Sequence, residues 1–232
     1  MLRALSVVIL ILGWSFIAQG QEEEKNFRIG ILGTSEVSWF SSDNSTSLND
    51  GAKISLKGGI LVDYRLLENY YFSTGINFNN MRGAIEYTES NIPFETSIET
   101  YILNNDSEKS NVTVDYQINY LEIPLGLKLR TNEIGYFTYH ATFGLRTLFN
   151  TKALASANQQ AIDKENISKE VNFFHLGGFI GAGVEYAISR NFIVHGGLHY
   201  NAGFTDMTST NKKSFSDKVS LNGIALQVGV LF

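Results

Sequence analysis

The chain has 232 residues, no cysteine, 18 Lys+Arg against 23 Asp+Glu, and only 18% charged residues. The absence of cysteine excludes a disulfide framework, a thiol nucleophile, a zinc–thiolate site and a lipid-modified N-terminal cysteine. A net charge of −5 argues against nucleic acid as a partner, because a phosphate backbone attracts basic surfaces.

Arg3 precedes an apolar run, Ala4 to Ile17, that ends in Ala18-Gln19-Gly20. The run is shorter than the roughly 20 residues a helix needs to span a bilayer. Small residues at the first and third positions before a cut after Gly20 complete the layout of an export signal. Residues 1–20 are therefore expected to be a signal peptide, residues 21–26 a short periplasmic segment, and residues 27–232 the folded domain. No later apolar run reaches the length of a membrane helix.

From Phe27 onward the apolar residues recur with period two, the mark of strands with two unlike faces. Phe27, Ile29, Ile31, Val37 and Trp39 alternate with Arg28, Gly30, Thr34, Glu36 and Ser38. Ile54, Leu56, Ile60, Val62 and Tyr64 alternate with Ser55, Lys57, Gly59 and Asp63. Phe72, Ile76 and Phe78 oppose Gly75, Asn77 and Asn79; Leu121, Ile123, Leu125, Leu127 and Leu129 oppose Glu122, Pro124, Gly126, Lys128 and Arg130. The same holds for Phe137–Arg146, Phe174–Tyr186, Phe192–Asn201 and Ile224–Phe232. Connections alternate between short (66–69, 131–134, 189–191) and long and polar (41–51, 88–111, 151–170, 205–218). Short turns on one side and long loops on the other describe an outer-membrane barrel.

Alternation also suits a soluble β-sandwich. The export signal, the aromatics near strand ends (Trp39, Tyr64, Tyr136, Phe137, Tyr186, Phe192, Phe232), the full charges and glycines on the polar face, and the terminal Phe232 in phase with the apolar face favour the barrel. The expected fold is all-β: an eight-stranded antiparallel transmembrane β-barrel with short periplasmic turns and long extracellular loops, located in the bacterial outer membrane.

An eight-stranded barrel is just wide enough for side chains to fill it. The inward charges Arg28, Glu36, Lys57, Asp63, Glu122, Lys128, Arg130, Arg146 and Glu185 nearly balance in sign, and an unpaired buried charge costs several kcal/mol. They are expected to form a salt-bridged plug, with Glu122, Lys128 and Arg146 at its centre; a selective pore is the alternative. His195 and His199 share a face but lie roughly 13 Å apart along the strand, too far for one ion. His140 and His175 fall on neighbouring strands at different heights. Neither pair predicts a metal site, and no cofactor is implied.

No GxSxG, Walker, HExxH or dinucleotide motif occurs. GGFIGAG at 177–183 lies within a strand. His175 and Ser168 near the outer rim are the only hint of a membrane-embedded lipid-modifying enzyme, so the expectation is a non-enzymatic protein. In the longest hairpin the apolar set changes parity, from even to odd after Phe78 and from even to odd at Leu121. A slip of one residue exchanges a strand's faces, so bulges are expected near Asn79–Asn80 and Asn119–Tyr120 where the hairpin leaves the bilayer. Uninterrupted pairing, with the outer side chains capping the lumen, is the alternative.

YLEIPLGLKLR at Tyr120–Arg130 resembles the signature strand of the PorT-like outer-membrane β-barrel family. GAGVEYAISRNF at Gly181–Phe192 is similar to that family's Gly-rich strand and turn. The terminal ALQVGVLF is similar to the signal read by the outer-membrane assembly machinery. The resemblance implies an outer-membrane barrel, whose family namesake is a secretion-system accessory. The partners it implies are outer-membrane lipid, the assembly machinery engaged through the strand ending in Phe232, and an extracellular or secretion-system protein. A monomer with no nucleic-acid partner is expected.

Overall fold

The computed structural model describes residues 26–42, 47–49, 52–87, 112–157, 164–168, 171–189, 191–206 and 219–232. The expected signal peptide and much of the long loops lie outside these residues. The strands are β1 (Phe27–Ser42), β2 (Ser47–Asn49), β3 (Lys53–Leu67), β4 (Tyr70–Tyr87), β5 (Val112–Arg130), β6 (Phe137–Ala157), β7 (Glu165–Asn166), β8 (Phe174–Ser189), β9 (Phe192–Gly203) and β10 (Val219–Leu231). No helix occurs among the described residues.

Setting aside the short β2 and β7, eight antiparallel strands pair in the order β4-β3-β1-β10-β9-β8-β6-β5, and β5 returns to β4. The first and last strands, β1 and β10, are paired from Gly30↔Leu231 to Ser42↔Val219. The sheet is therefore a closed barrel with no free edge, the one way a β-sheet satisfies its backbone in lipid. The turns at the N-terminal end of the barrel are tight. Gly135, at φ +69°, occupies the first central position of the two-residue turn between Ile134 and Phe137, a conformation that glycine adopts without strain.

The alternation read from the sequence sorts correctly to the two faces. Ile31, Ile54, Leu56, Ile60, Phe78, Ile180, Leu198, Ile224 and Val228 are exposed on the outer wall, whereas Glu36, Asp63, Glu122, Lys128, Arg146 and Glu185 are buried inside. Aromatic clusters bracket the apolar belt. On the periplasmic side Phe27 packs on Tyr64 at 5.0 Å, Phe137 on Tyr186 at 4.9 Å and Phe192 on Phe232 at 5.7 Å. On the outer side Phe149 packs on Phe173 and Phe174 at 5.8 and 5.6 Å.

The longest hairpin departs from the bulged arrangement expected for it. β4 and β5 keep one register from Tyr70↔Leu129 to Tyr87↔Val112, with no shift. Inside the belt their outward residues are Phe72, Ile76 and Phe78, and Leu121 through Leu129. Beyond it they are Asn80, Arg82, Asp115, Gln117 and Asn119, while the buried inward residues become Met81, Val114, Tyr116, Ile118 and Tyr120. The strand faces never exchange; the medium outside the wall changes from lipid to water, and the apolar residues follow the dry side. The boundary runs along the row Phe78–Leu121–Phe149–Phe174. Of the two bulges expected, the one at Asn119/Tyr120 has a counterpart, though between β5 and β6 rather than within the hairpin: the register shifts there, and Thr151 of β6, outside the pairing, donates its hydroxyl to the Asn119 carbonyl at 3.0 Å. β6 also continues to Ala157, over residues that read as loop in the sequence. The side chains of Ile85 and Tyr87 lie outside the described residues.

Candidate functional site: the lumen

Among the described residues the nine charged side chains expected in the lumen lie there, and they form two groups, with Glu122 and Arg146 in one and Lys128 in the other. In the group nearer the periplasmic end, Arg28 of β1 donates to Asp63 of β3 and Glu185 of β8, both at 2.9 Å. Lys128 of β5 reaches the same two carboxylates at 2.6 and 3.1 Å. Arg130 reaches Glu185 at 2.9 Å and donates to the Tyr71 hydroxyl at 3.1 Å. Arg28 also lies over the Tyr71 ring at 4.4 Å, an arrangement in which the ring face attracts the cation. Ser73 donates to Asp63 at 2.7 Å. Three cations here face two carboxylates, on strands from opposite walls, so the ion pairs tie the barrel across its bore.

In the second group, Lys57 of β3 bonds Glu122 of β5 at 3.1 Å, and Asn77 and Asn79 of β4 donate to the same carboxylate at 3.2 Å. Arg146 of β6 stands between Glu122 at 3.7 Å and Glu36 at 3.8 Å. Those are ion-pair separations longer than a hydrogen bond, and Glu36 has no hydrogen-bond partner. A cavity of about 50 Å³, room for the centres of a few waters, separates the groups and is lined by Lys57, Lys128, Arg146 and His195 among others. The structure places all nine of these side chains in the lumen and divides the network expected of Glu122, Lys128 and Arg146: Glu122 meets Arg146 and Lys57, whereas Lys128 meets Asp63 and Glu185.

Glycines on the inner wall make room for large side chains. A Cβ on Gly126 of β5 would come within 2.7 Å of the Phe179 ring of β8, two strands away along the inner wall. Above Arg146 apolar side chains predominate: Met81, Val114, Tyr116, Ile118, Ala153 and Ala155 are buried there, as are Ile167 and Val171 of the β6–β8 connection, together with the polar Ser38, Ser55, Asn150 and His175.

The histidines missed by along-strand spacing come together across strands. Glu185 of β8 pairs directly with His195 of β9, and His140 of β6 pairs with Gly183 of β8. The His140 and His195 rings stack at 4.8 Å. The short β8–β9 turn is the signal that fixes Glu185 opposite His195. Ser168 bonds Asn166 and the Ala153 carbonyl, whereas His175 packs edge-on against Tyr120 at 5.4 Å; each is engaged with separate neighbours.

A filled bore inside an apolar, aromatic-bordered wall closed from first strand to last describes a barrel embedded in lipid. The family described as outer membrane protein beta-barrel domain matches residues 17–209. The chain belongs to this family. It is a bacterial outer-membrane barrel, similar in fold to solved structures at low identity. OprG from Pseudomonas aeruginosa shares 13% identity at a TM-score of 0.49, over 89% of this chain and 94% of that one. Neisserial surface protein A shares 12% at 0.45, over 87% and 96%. Ail of Yersinia pestis shares 16% at 0.37, over 88% and 98%. No curated protein matches the chain.

Proposed function

We propose that this outer-membrane barrel acts at its extracellular end, as a surface-binding protein or an accessory of envelope assembly or protein secretion, rather than as a pore or an enzyme. The observation that carries the reading is the filled lumen. Two ion-pair groups cross the bore, Phe179 lies over Gly126, and Ile167 and Val171 pack into the outer mouth. A bore filled in this way leaves the outer surfaces for function. β4, β5 and β6 continue past the apolar belt and form a stiff pedestal with a polar outer face, including the Lys53–Asp115 and Asn80–Asn119 contacts. The resemblance of Tyr120–Arg130 and Gly181–Phe192 to the PorT-like family favours the secretion-accessory form of the proposal, as a monomer matured through its Phe232-ended strand.

Reconstitution in planar bilayers tests it. Wild-type protein is expected to give no stepwise conductance, and regular single-channel steps would establish the narrow-channel reading instead. In cells, photo-crosslinkers at Gln117 and Lys152 on the pedestal are expected to trap a protein, whereas one at Leu125 on the belt traps only lipid.

A further inference from the structure

We infer that the lumen carries a binding site for one imidazole-preferring divalent transition-metal ion, held by His140, Glu185 and His195. One ligand atom from each residue lies within 4.8 Å of the other two, and all three side chains are buried. The His140 and His195 rings are stacked 16° from parallel and an imidazole lone pair lies in its ring plane, so one ring must turn out of the stack to reach the spacing of about 3.4 Å that tetrahedral bonds near 2.1 Å require. Three adjacent strands supply the ligands. Their placement is thus fixed by the β6–β8–β9 register, with Glu185 opposite His195 and His140 opposite Gly183.

Four further observations single out this cluster. The first is its floor: a Cβ on Gly183 would stand 2.6 Å from His140 Nε2, so only glycine leaves space for that ring nitrogen. Second, His140 Nε2 and His195 Nδ1 are buried without a hydrogen-bond partner, and such groups in a folded interior call for a missing partner. Third, His195 Nε2 lies 3.0 Å from Gln227 Oε1. If Nε2–H donates there, the lone pair of Nδ1 faces a Glu185 oxygen at 3.8 Å. Two acceptors face to face are stabilised by a cation between them, and an outer contact that fixes a histidine tautomer is the usual support of a metal ligand. Fourth, the mid-lumen cavity borders His195 and its partner Gln227, so the cluster has open space on the His195 side.

The charges around the cluster select the kind of ion. Lys128, Arg28 and Arg130 all contact Glu185, and Asp63 lies beside them. That positive surround opposes any dication. Hard ions that depend on several oxygens, such as Mg²⁺ and Ca²⁺, find one shared carboxylate; Ni²⁺, Cu²⁺ and Zn²⁺ gain from two neutral imidazoles. Reducing the positive charge should strengthen binding.

The test uses the untagged chain without residues 1–20, refolded in detergent micelles and labelled with ¹⁵N-histidine. NiCl₂ is expected to bind one ion per chain by calorimetry and to broaden the ring signals of His140 and His195 before that of His175. ZnCl₂ should compete, and MgCl₂ should not bind. Gln227→Leu should weaken Ni²⁺ binding about tenfold, the usual cost of losing an outer-shell partner. Arg130→Gln should tighten it several-fold. The inference is overturned if neither Ni²⁺ nor Zn²⁺ binds, if broadening bypasses His140 and His195, if the His140→Gln/His195→Gln double variant binds as wild type, or if Arg130→Gln fails to tighten binding. Should the double variant not fold, the wild-type ring signals and Arg130→Gln decide.

Discussion

Replacing Lys128 by leucine probes the structural claim most directly. The Lys128 side chain is 2% exposed, and its ammonium lies 2.6 Å from Asp63 and 3.1 Å from Glu185. Removing one partner of a buried ion pair typically costs about 3–5 kcal/mol, because the other charge stays buried. Here each carboxylate keeps other partners: Asp63 retains Arg28 at 2.9 Å and Ser73 at 2.7 Å. Glu185 retains Arg28 and Arg130, both at 2.9 Å. The loss is therefore placed at the lower end, about 3 kcal/mol. Lys53→Ala is the control. Lys53 and Asp115 are 39% and 54% exposed, and an exposed pair contributes at most about 1 kcal/mol. Urea unfolding in lipid vesicles, followed by the fluorescence of Trp39 on β1, gives both values from midpoint and slope. The difference of about 2 kcal/mol is roughly a thirtyfold change in the folding equilibrium. If Lys128→Leu costs no more than Lys53→Ala, the lumen charges are not interlocked and the plug account fails.

Four other outcomes follow from the same structure. A closed barrel without free edges should resist SDS until boiled and run faster unboiled, so a band that does not shift on boiling contradicts closure. Leu125→Arg, on the lipid face, should cost about 2–4 kcal/mol in vesicles if that residue lies near the midplane, measured by the same urea titration. Ile118→Ala, in the water-side core, should cost about 2–5 kcal/mol, the range for truncating a buried isoleucine; a loss under 1 kcal/mol would mean this core is not packed. Spin labels at Ile76 and Asp115 should separate cleanly, the first relaxed by oxygen dissolved in lipid and the second by a water-soluble nickel chelate, and lipid exposure of Asp115 would move the belt boundary outward.

Much of the fold was legible because the bilayer enforces it. Each belt strand must present apolar residues to lipid, so Leu121–Leu129 and Phe137–Leu145 read unambiguously, and the short turns make neighbouring strands antiparallel. The nine lumen charges followed from parity alone. Most of their partners do not, because period two gives a residue's face but not its height against other strands: Glu122 does meet Arg146, but the register sets it beside Lys57 and Asn77 rather than Lys128. The same gap hid His140 beside His195. Distance along one strand separates His195 from His199, yet the site is made across three strands. In the long hairpin the parity change suggests a slip of the chain, whereas β4 and β5 stay in register throughout. The pattern of apolar residues records which side is dry, and that side depends on the surroundings as well as on the strand.

The order of the two lumen layers has a physical basis. Within the belt, the wall already faces lipid, and moving an apolar side chain from lipid to a dry lumen gains little, since lipid tails are as apolar as leucine. Packing and hydrogen bonds must then hold the interior, and ion pairs that tie opposite walls fix one register: Arg28 and Lys128 both reach Asp63 and Glu185, from β1 and β5 to β3 and β8. Beyond Phe78 and Leu121 the wall faces water, and burying apolar area there gains about 25 cal/mol per Å². Met81, Val114, Tyr116 and Ile118 turn inward at that level, and Ile167, whose backbone N–H donates to the Ala153 carbonyl, is buried with Val171. The outer layer is thus a soluble-type core built on a membrane-type base, with the same strands serving both. Ile167 and Val171, buried at this level, are held by water-driven burial rather than by lipid.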